Sequence, residues 1–320
     1  MKAKLLGFIE RFRGKRILVI GDIMLDKYLN GDVSRISPEA PVPIVTVKNE
    51  RFVPGGAANV ACNIASLGGN AVMAGVIGKD EPGTLLMKEL QERGIETSQV
   101  IVDRKKPTTQ KVRVVAQNQQ LLRVDYEDAG NICHETEMEL IKSVRKEIPG
   151  VDALVVSDYA KGVITPELMK SIQSARNNKV LIVDPKPTHR SLYTEVSVIT
   201  PNLKEAMEMA PREESSIDGM GNYLVNELKS TILITLGEKG MALFQKDGKK
   251  TEIPTHAKEV FDVSGAGDTV VAALALALSS GASVEQAAMI ANYAAGVKVG
   301  KRGTASVGVE ELRDALEGGI

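Results

Sequence analysis

The densest set of chemically useful residues runs from Phe261 to Thr269, Phe-Asp-Val-Ser-Gly-Ala-Gly-Asp-Thr. Gly265, Ala266 and Gly267 let the backbone turn tightly with no large side chain in the way. The apolar run 270–278 that follows reads as a buried helix. A glycine turn feeding a helix N-terminus leaves N–H groups unpaired, and the helix dipole behind them favours an anion. Asp268 stands at the mouth of that site. A carboxylate beside an anion hole suits removal of a proton from a hydroxyl while the N–H groups hold a phosphoryl group that is gaining charge. The plainer reading, a turn with Asp as helix N-cap, uses the same residues. The context weighs against it: Asp262 and Asp268 bracket the turn, and Ala272, Ala273, Ala275 and Ala277 suit close packing under a ligand.

Such a site needs a rigid edge to stand on. Residues 16–20 form a short β-branched run ending at Gly21-Asp22, which reads as a buried parallel strand. Ligands gather at the carboxyl ends of strands in open α/β sheets, so Asp22 is a candidate for hydrogen-bonding a polyhydroxylated ligand. Gly55 and Gly56 precede an alanine-rich helix in which Asn59 and Asn63 share a face, and an amide both donates to and accepts from hydroxyls. Strands are also expected at 71–76, 153–157, 180–183, 197–200 and 232–235, and helices at 81–93 and 135–148. Four of these strands run into polar or glycine-rich ends: Asp158 to Lys161, Asp184-Pro185-Lys186, Asn202 to Glu205, and Leu236-Gly237. That recurrence predicts an α/β fold with one site along the carboxyl edge of a mostly parallel sheet. Two β-rich stretches, about 31–50 and 107–125, break the strand–helix alternation. They are expected to pair into a small β lid that excludes water from the reaction.

Composition narrows the partners. At 320 residues the chain can form one large α/β domain. A net charge of -1 gives no overall field for nucleic acid or an anionic membrane, and 3% aromatics without tryptophan offer no base-stacking platform. Cys62 and Cys133 lack the spacing of a disulfide framework or zinc site. The N-terminus has no signal-peptide core and no apolar stretch reaches membrane-span length, so a cytoplasmic protein is expected.

Taken in order, Gly-Gly-Ala-Ala-Asn at 55–59, Asn202-Leu203-Lys204-Glu205, Thr235-Leu236-Gly237 and the segment 262–268 resemble the ribokinase-like (PfkB-type) carbohydrate kinases over nearly the whole chain. Within that family the segments 34–43, 118–123, 157–162 and 300–304 are most similar to kinases of heptose 7-phosphate in ADP-heptose synthesis. The resemblance implies a single kinase domain over 1–320, built as a three-layer sandwich with a mostly parallel central sheet and the β lid. It implies ATP and Mg²⁺ as cofactors and a sugar phosphate as acceptor. Asp268 would be the base, with Gly265, Ala266 and Gly267 as the anion hole. Asn202 and Glu205 would order Mg²⁺-bound water and the triphosphate, Thr235 and Gly237 would flank the phosphates, and Asn292 would lie near the adenine or ribose. Asp22, Gly55, Gly56 and Asn59 would hold the sugar. Asp262 and Ser306 resemble positions that bind a monovalent cation, such as K⁺, in some members. The acceptor's own phosphate needs cations, for which Arg113, Arg123, Lys161 and Lys186 are candidates, Lys186 alternatively serving ATP. No His-x-Gly-His occurs, so a separate adenylyltransferase is expected, and the exposed edges and apolar faces of the lid predict a homodimer.

Overall fold

The protein is described by a computed structural model covering residues 1–117, 119–256, 260–301 and 305–318. Asn118 and residues 302–304, parts of two of the segments singled out above, lie outside the described residues. In chain order the strands are β1 (Arg16–Gly21), β2 (Ile23–Ile36), β3 (Pro43–Gly56), β4 (Asn70–Gly78), β5 (Glu96–Asp103), β6 (Thr109–Ala116), β7 (Gln119–Tyr126), β8 (Ala153–Ser157), β9 (Val180–Asp184), β10 (Val198–Ile199), β11 (Thr231–Thr235), β12 (Met241–Phe244) and β13 (Lys250–Ile253). The helices are α1 (Lys2–Ile9), α2 (Ala57–Ser66), α3 (Glu81–Glu92), α4 (His134–Glu147), α5 (Pro166–Ala175), α6 (Leu203–Met209), α7 (Ile217–Leu228), α8 (Ala266–Ser279), α9 (Val284–Val299) and α10 (Val309–Glu317).

Among the described residues the strands make two sheets. The large one runs β13-β12-β11-β10-β9-β8-β1-β4-β5. It is parallel from β5 across to β11, and only β12 and β13 join antiparallel at one edge. Its central strands are apolar on both faces; Leu18 and Ile20 pack in one layer while Ile17 and Val19 pack in the other. Burial of both faces forces helices onto each, giving three layers. The second sheet, β3-β2-β6-β7, is the predicted lid.

The lid differs from the expectation in where it begins. β2 and β3 are single strands of 14 residues; β2 starts inside the core at Ile23 rather than at residue 31, and β3 returns into the core at its C-terminal end. Ile23, Met24 and Leu25 are buried, and only the outer half of each strand is exposed. The lid therefore grows from the site floor, because an apolar strand root anchors a polar, half-covered extension. Strands β5, β12 and β13 and helices α1, α5, α7, α9 and α10 were not anticipated.

Helix α8 starts four residues earlier than its apolar run suggests. Gly265 is its N-cap with φ 74°, a left-handed conformation that a side chain disfavours. Asp268 consequently sits inside the first helical turn and is not the cap. The buried face of α8 is built of alanine, valine and leucine and packs on α2, whose residues 57–64 are buried as well. Small side chains let the two helices approach closely.

Candidate active site

Asp268 is buried where α2, α8 and the loop after β8 meet. Its Oδ2 accepts a hydrogen bond from Asn59 Nδ2 at 2.5 Å, and its Oδ1 accepts one from the Tyr159 hydroxyl at 2.9 Å. A buried relay holds this geometry: Asn63 Nδ2 donates to the Asn59 carbonyl at 2.8 Å, and the Thr269 hydroxyl donates to Asn63 Oδ1 at 2.9 Å. The amide pair on α2 is thus fastened to α8. Burial pushes the Asp268 carboxyl up to about 6, although the hydrogen bonds from Asn59 and Tyr159 pull the other way. Tyr159 is pushed well above the ordinary tyrosine value by burial and by the Asp268 charge, so its hydroxyl stays a donor. Asp268 is ionised at neutral pH yet poised near it, as a general base should be.

Below it, the Ala266 N–H bonds the Val263 carbonyl at 3.2 Å, and Thr269 makes the first helical bond, to Gly265. The N–H groups of Gly265, Gly267 and Asp268 find no acceptor among the described residues. They open onto a polar trench of about 230 Å³ lined by Tyr159, Asp184, Lys186, Asn202, Glu205 and Thr235. A second, mostly apolar cavity of about 420 Å³ adjoins it and is lined by Gly237, Met241, Val270, Asn292 and Val299 among others. Thr235 and Gly267 line both, so one elongated ligand can occupy the two together. The structure thus gathers Asp268, Gly265, Ala266, Gly267, Asn202, Glu205, Thr235, Gly237 and Asn292 at one place. A methyl group on Gly267 would meet nothing within 4 Å. Gly267→Ala is therefore expected to fold with an unchanged or higher melting temperature. By crowding the shared space it should raise KM for ATP roughly tenfold. An unaltered KM would remove Gly267 from the anion hole.

Asn202 and Glu205 form a reciprocal capping box at the start of α6: Asn202 Oδ1 accepts the Glu205 N–H at 2.9 Å and Glu205 Oε2 accepts the Asn202 N–H at 3.0 Å. Both the structural and the ligand-facing readings of the pair are thus compatible, since Glu205 Oε1 also meets Lys186 Nζ at 2.8 Å inside the trench. Asp184 lies alongside. Burial, then the Asp268 and Glu205 charges, hold its carboxyl well above the usual range. Asp184 and Glu205, served by the single Lys186 ammonium, fit a hydrated Mg²⁺ that arrives on a triphosphate, because Mg²⁺ keeps waters and needs only one or two protein carboxylates.

Around the residues expected to hold a sugar, the structure gives Asp22 a different place. Asp22 is buried, and its carboxylate accepts the N–H groups of Tyr159 at 2.8 Å, Lys161 at 3.2 Å and Val163 at 3.1 Å. It anchors the loop that carries Tyr159. The carboxylate that reaches the glycine pair is Asp26: a Cβ on Gly55 would lie 2.7 Å from its Oδ2. Asp26 also acts electrostatically on Asp268. Gly56, at φ 58°, has no room for a Cβ beside the Asp22 carbonyl, 2.5 Å away. Asp26, Tyr159 and Asp184 join the candidate site without having been singled out in the sequence. For Asp184 the available signal was its place at a strand end, and for Asp26 it was the alternation Met24-Asp26-Tyr28 along one strand face. The basic candidates for the acceptor's phosphate are each engaged. Arg113 meets Asp26 at 2.6 Å, Lys161 meets Glu127 at 2.8 Å, and Arg123 meets Asp125 at 2.9 Å.

Residues 15–311 match the family model described as pfkB family carbohydrate kinase. The chain is 42% identical over 315 residues to the bifunctional protein HldE of Desulfatibacillum aliphaticivorans, covering 97% of this chain and 64% of that protein. It is 44% identical over 313 residues to the bifunctional protein HldE of Shewanella sp. (strain ANA-3), covering 96% and 65%. The chain therefore spans just under two thirds of these relatives' length. Since both are bifunctional, the expectation of a separate adenylyltransferase draws no support from them. Among solved structures, ribokinase of Arabidopsis thaliana complexed with ribose and ATP superposes with a TM-score of 0.74 at 20% identity, covering 95% of this chain and 99% of that one. Phosphofructokinase-2 of Escherichia coli in complex with potassium gives 0.77 at 20% identity, covering 95% and 98%. These two establish the ribokinase-like α/β fold. No helix of the described residues is long and apolar enough to cross a membrane.

Proposed function

The chain belongs to the pfkB family of carbohydrate kinases, and from that premise we propose that it transfers the γ-phosphoryl group of ATP to O1 of D-glycero-β-D-manno-heptose 7-phosphate, giving the 1,7-bisphosphate. One observation carries the kinase chemistry: an apolar cavity leads past Thr235 and Gly267 into a polar trench that ends at the Asp268 carboxylate. A nucleoside triphosphate has that sequence of surfaces, apolar base first and anionic end last. The likeness at 42% and 44% identity to the HldE proteins supports the heptose acceptor.

In this reading the base lies near Asn292, and the phosphates run past Thr235, Lys186 and Asn202. The terminal phosphate meets the free N–H groups at the start of α8. Mg²⁺, when bound, neutralises charge on the phosphate oxygens. Asp268 receives the proton from the sugar hydroxyl, and Asn59 and Tyr159 hold its two oxygens so that the carboxylate does not swing away. Asp26 and the glycine pair lie against the sugar, while Asp22 fixes the Tyr159 loop. We assign Lys186 to the triphosphate and leave Arg113 and Lys161, on the sugar side, to the 7-phosphate.

The test is ADP release with heptose 7-phosphate, fructose 6-phosphate, ribose and adenosine as acceptors, with the product's new phosphorus located by NMR. Preference for fructose 6-phosphate or adenosine, or phosphate at a carbon other than C1, would sink the heptose assignment and leave the family intact.

We also propose that the protein works in the cytoplasm as a homodimer joined through its lids. Val47, Leu121, Leu122 and Val124 are exposed on that sheet, with Val42 exposed just before β3, and bare apolar strands of this kind call for cover. Sedimentation equilibrium at micromolar concentration is expected to give a dimer, and Leu122→Glu a monomer. A wild-type monomer would refute this.

A further inference from the structure

We infer that the ammonium group of Lys298 is the resident cation of the anion hole, standing in the region where Asp262 and Ser306 resemble positions that bind a monovalent metal ion in some family members. The inference rests on the phosphoryl-transfer reading of the site and is independent of which sugar is the acceptor.

Lys298 is 1% exposed and ranks among the largest fully buried side chains. It lies in the last turn of α9, where the helix dipole favours a cation. The next residue ties the phosphate-binding turn to the same helix end: the Val299 carbonyl accepts the N–H groups of Phe261 at 2.7 Å and Asp262 at 3.2 Å. The Lys298 side chain then reaches under the turn. Its Cε lies 3.7 Å from the point a Cβ on Gly265 would occupy. Burial, helped by the Lys301 charge, lowers the Lys298 pKa from the ordinary lysine value, while the Asp262 and Asp268 carboxylates oppose that and favour the ammonium. A buried ammonium is costly unless carboxylates stand nearby, and here two of them do.

The same surroundings do not suit an alkali ion. The Ser306 carbonyl already accepts Lys301 Nζ at 2.8 Å, and that ammonium also meets Glu311 at 2.6 Å. Asp262 Oδ1 accepts the Ser264 N–H at 2.8 Å, and the carboxylate feels Lys298. A metal cation between Asp262 and Ser306 would face two lysine ammonium groups and would have to displace one. The charge that a bound ion would supply is instead built into the chain. It lies behind the N–H groups where the moving phosphoryl group becomes more negative, and it needs no reorganisation during transfer.

The experiment measures MgATP affinity by calorimetry and turnover by ADP release, in potassium, sodium and tetramethylammonium chlorides at one ionic strength. Wild type is expected to give the same values in all three within about twofold. Lys298→Met is expected to bind MgATP more weakly and to lose roughly 10- to 100-fold in kcat, with Lys298→Arg retaining most of both. Potassium raising wild-type affinity or turnover more than about tenfold would overturn the inference. So would a folded Lys298→Met enzyme with wild-type affinity and kcat. If Lys298→Met does not fold, the wild-type salt comparison decides alone. The affinity measurement needs no sugar, so a wrong acceptor assignment leaves this test standing.

Discussion

Replacing Asp268 by Asn is expected to lower kcat by roughly 10² to 10⁴ while leaving MgATP affinity near that of wild type, the range for loss of a positioned general base. The geometry allows the substitution to be clean. An asparagine at 268 can accept from Asn59 Nδ2 through its oxygen and donate to the Tyr159 oxygen through its amide, keeping both contacts now at 2.5 and 2.9 Å. Rapid-quench turnover beside ATP calorimetry checks both halves. A variant with near-normal kcat would remove Asp268 from the chemistry.

The same carboxylate sets the pH response. With its pKa raised to about 6, Asp268 is ionised above that value and protonated below it. Turnover should therefore fall about tenfold for each pH unit below 6. Stability runs the opposite way. The folded value lies above the unfolded one, so the folded state binds the proton more tightly and gains stability as pH falls from above 6 toward 4. At pH 8 the rise from 3.8 to about 6 corresponds to a cost of roughly 3 kcal/mol. Asp268→Asn escapes that cost. It should be more stable than wild type at pH 8, with the gap narrowing toward pH 4, which urea melts at several pH values would read directly. A gap that stays constant with pH would show that Asp268 keeps an ordinary pKa.

Lys186→Met should lower kcat/KM for ATP by roughly 10² to 10³, the cost of removing a charged donor from developing phosphoryl charge. Lys186 Nζ meets Glu205 at 2.8 Å within a trench that also holds Asp184 and Asp268. Burial works against its charge, but the Glu205 hydrogen bond and the surrounding carboxylates outweigh this and raise its pKa. Without it, several acids face the triphosphate with one fewer cation between them. Because the lysine is partly exposed, stability should fall by only about 1 kcal/mol. Lys186→Arg should restore much of the activity. A normal KM for ATP in Lys186→Met would move the lysine out of the triphosphate path.

Much of the candidate site's local geometry was readable from the chain. Gly265, Gly267, Asp268, Asn202 and Glu205 lie at turns and helix starts, and those are fixed by neighbours within a few residues. The polar strand ends after Val156, Val183 and Ile234 announced a shared edge because successive strands of a parallel sheet point the same way. The strands that escaped notice were β12 and β13, each four residues long, and β5, which is partly exposed and mixes polar with apolar residues. Such segments carry too little periodicity to stand out.

The sequence by itself determined the α/β class, the lid, and the glycine turn that leaves N–H groups bare at the start of α8, since each follows from residues close together in the chain. Only the tertiary structure decided which carboxylate does what. Asp22 and Asp26 are four residues apart and alike in chemistry, yet one is taken up by three backbone N–H groups and the other reaches the glycine pair. Likewise, nothing local marks Tyr159 as a partner of residue 268 or Lys298 as a charge beneath residue 265. Burial and contacts between segments about 30 to 140 residues apart set those roles, and they exist only once the layers have packed.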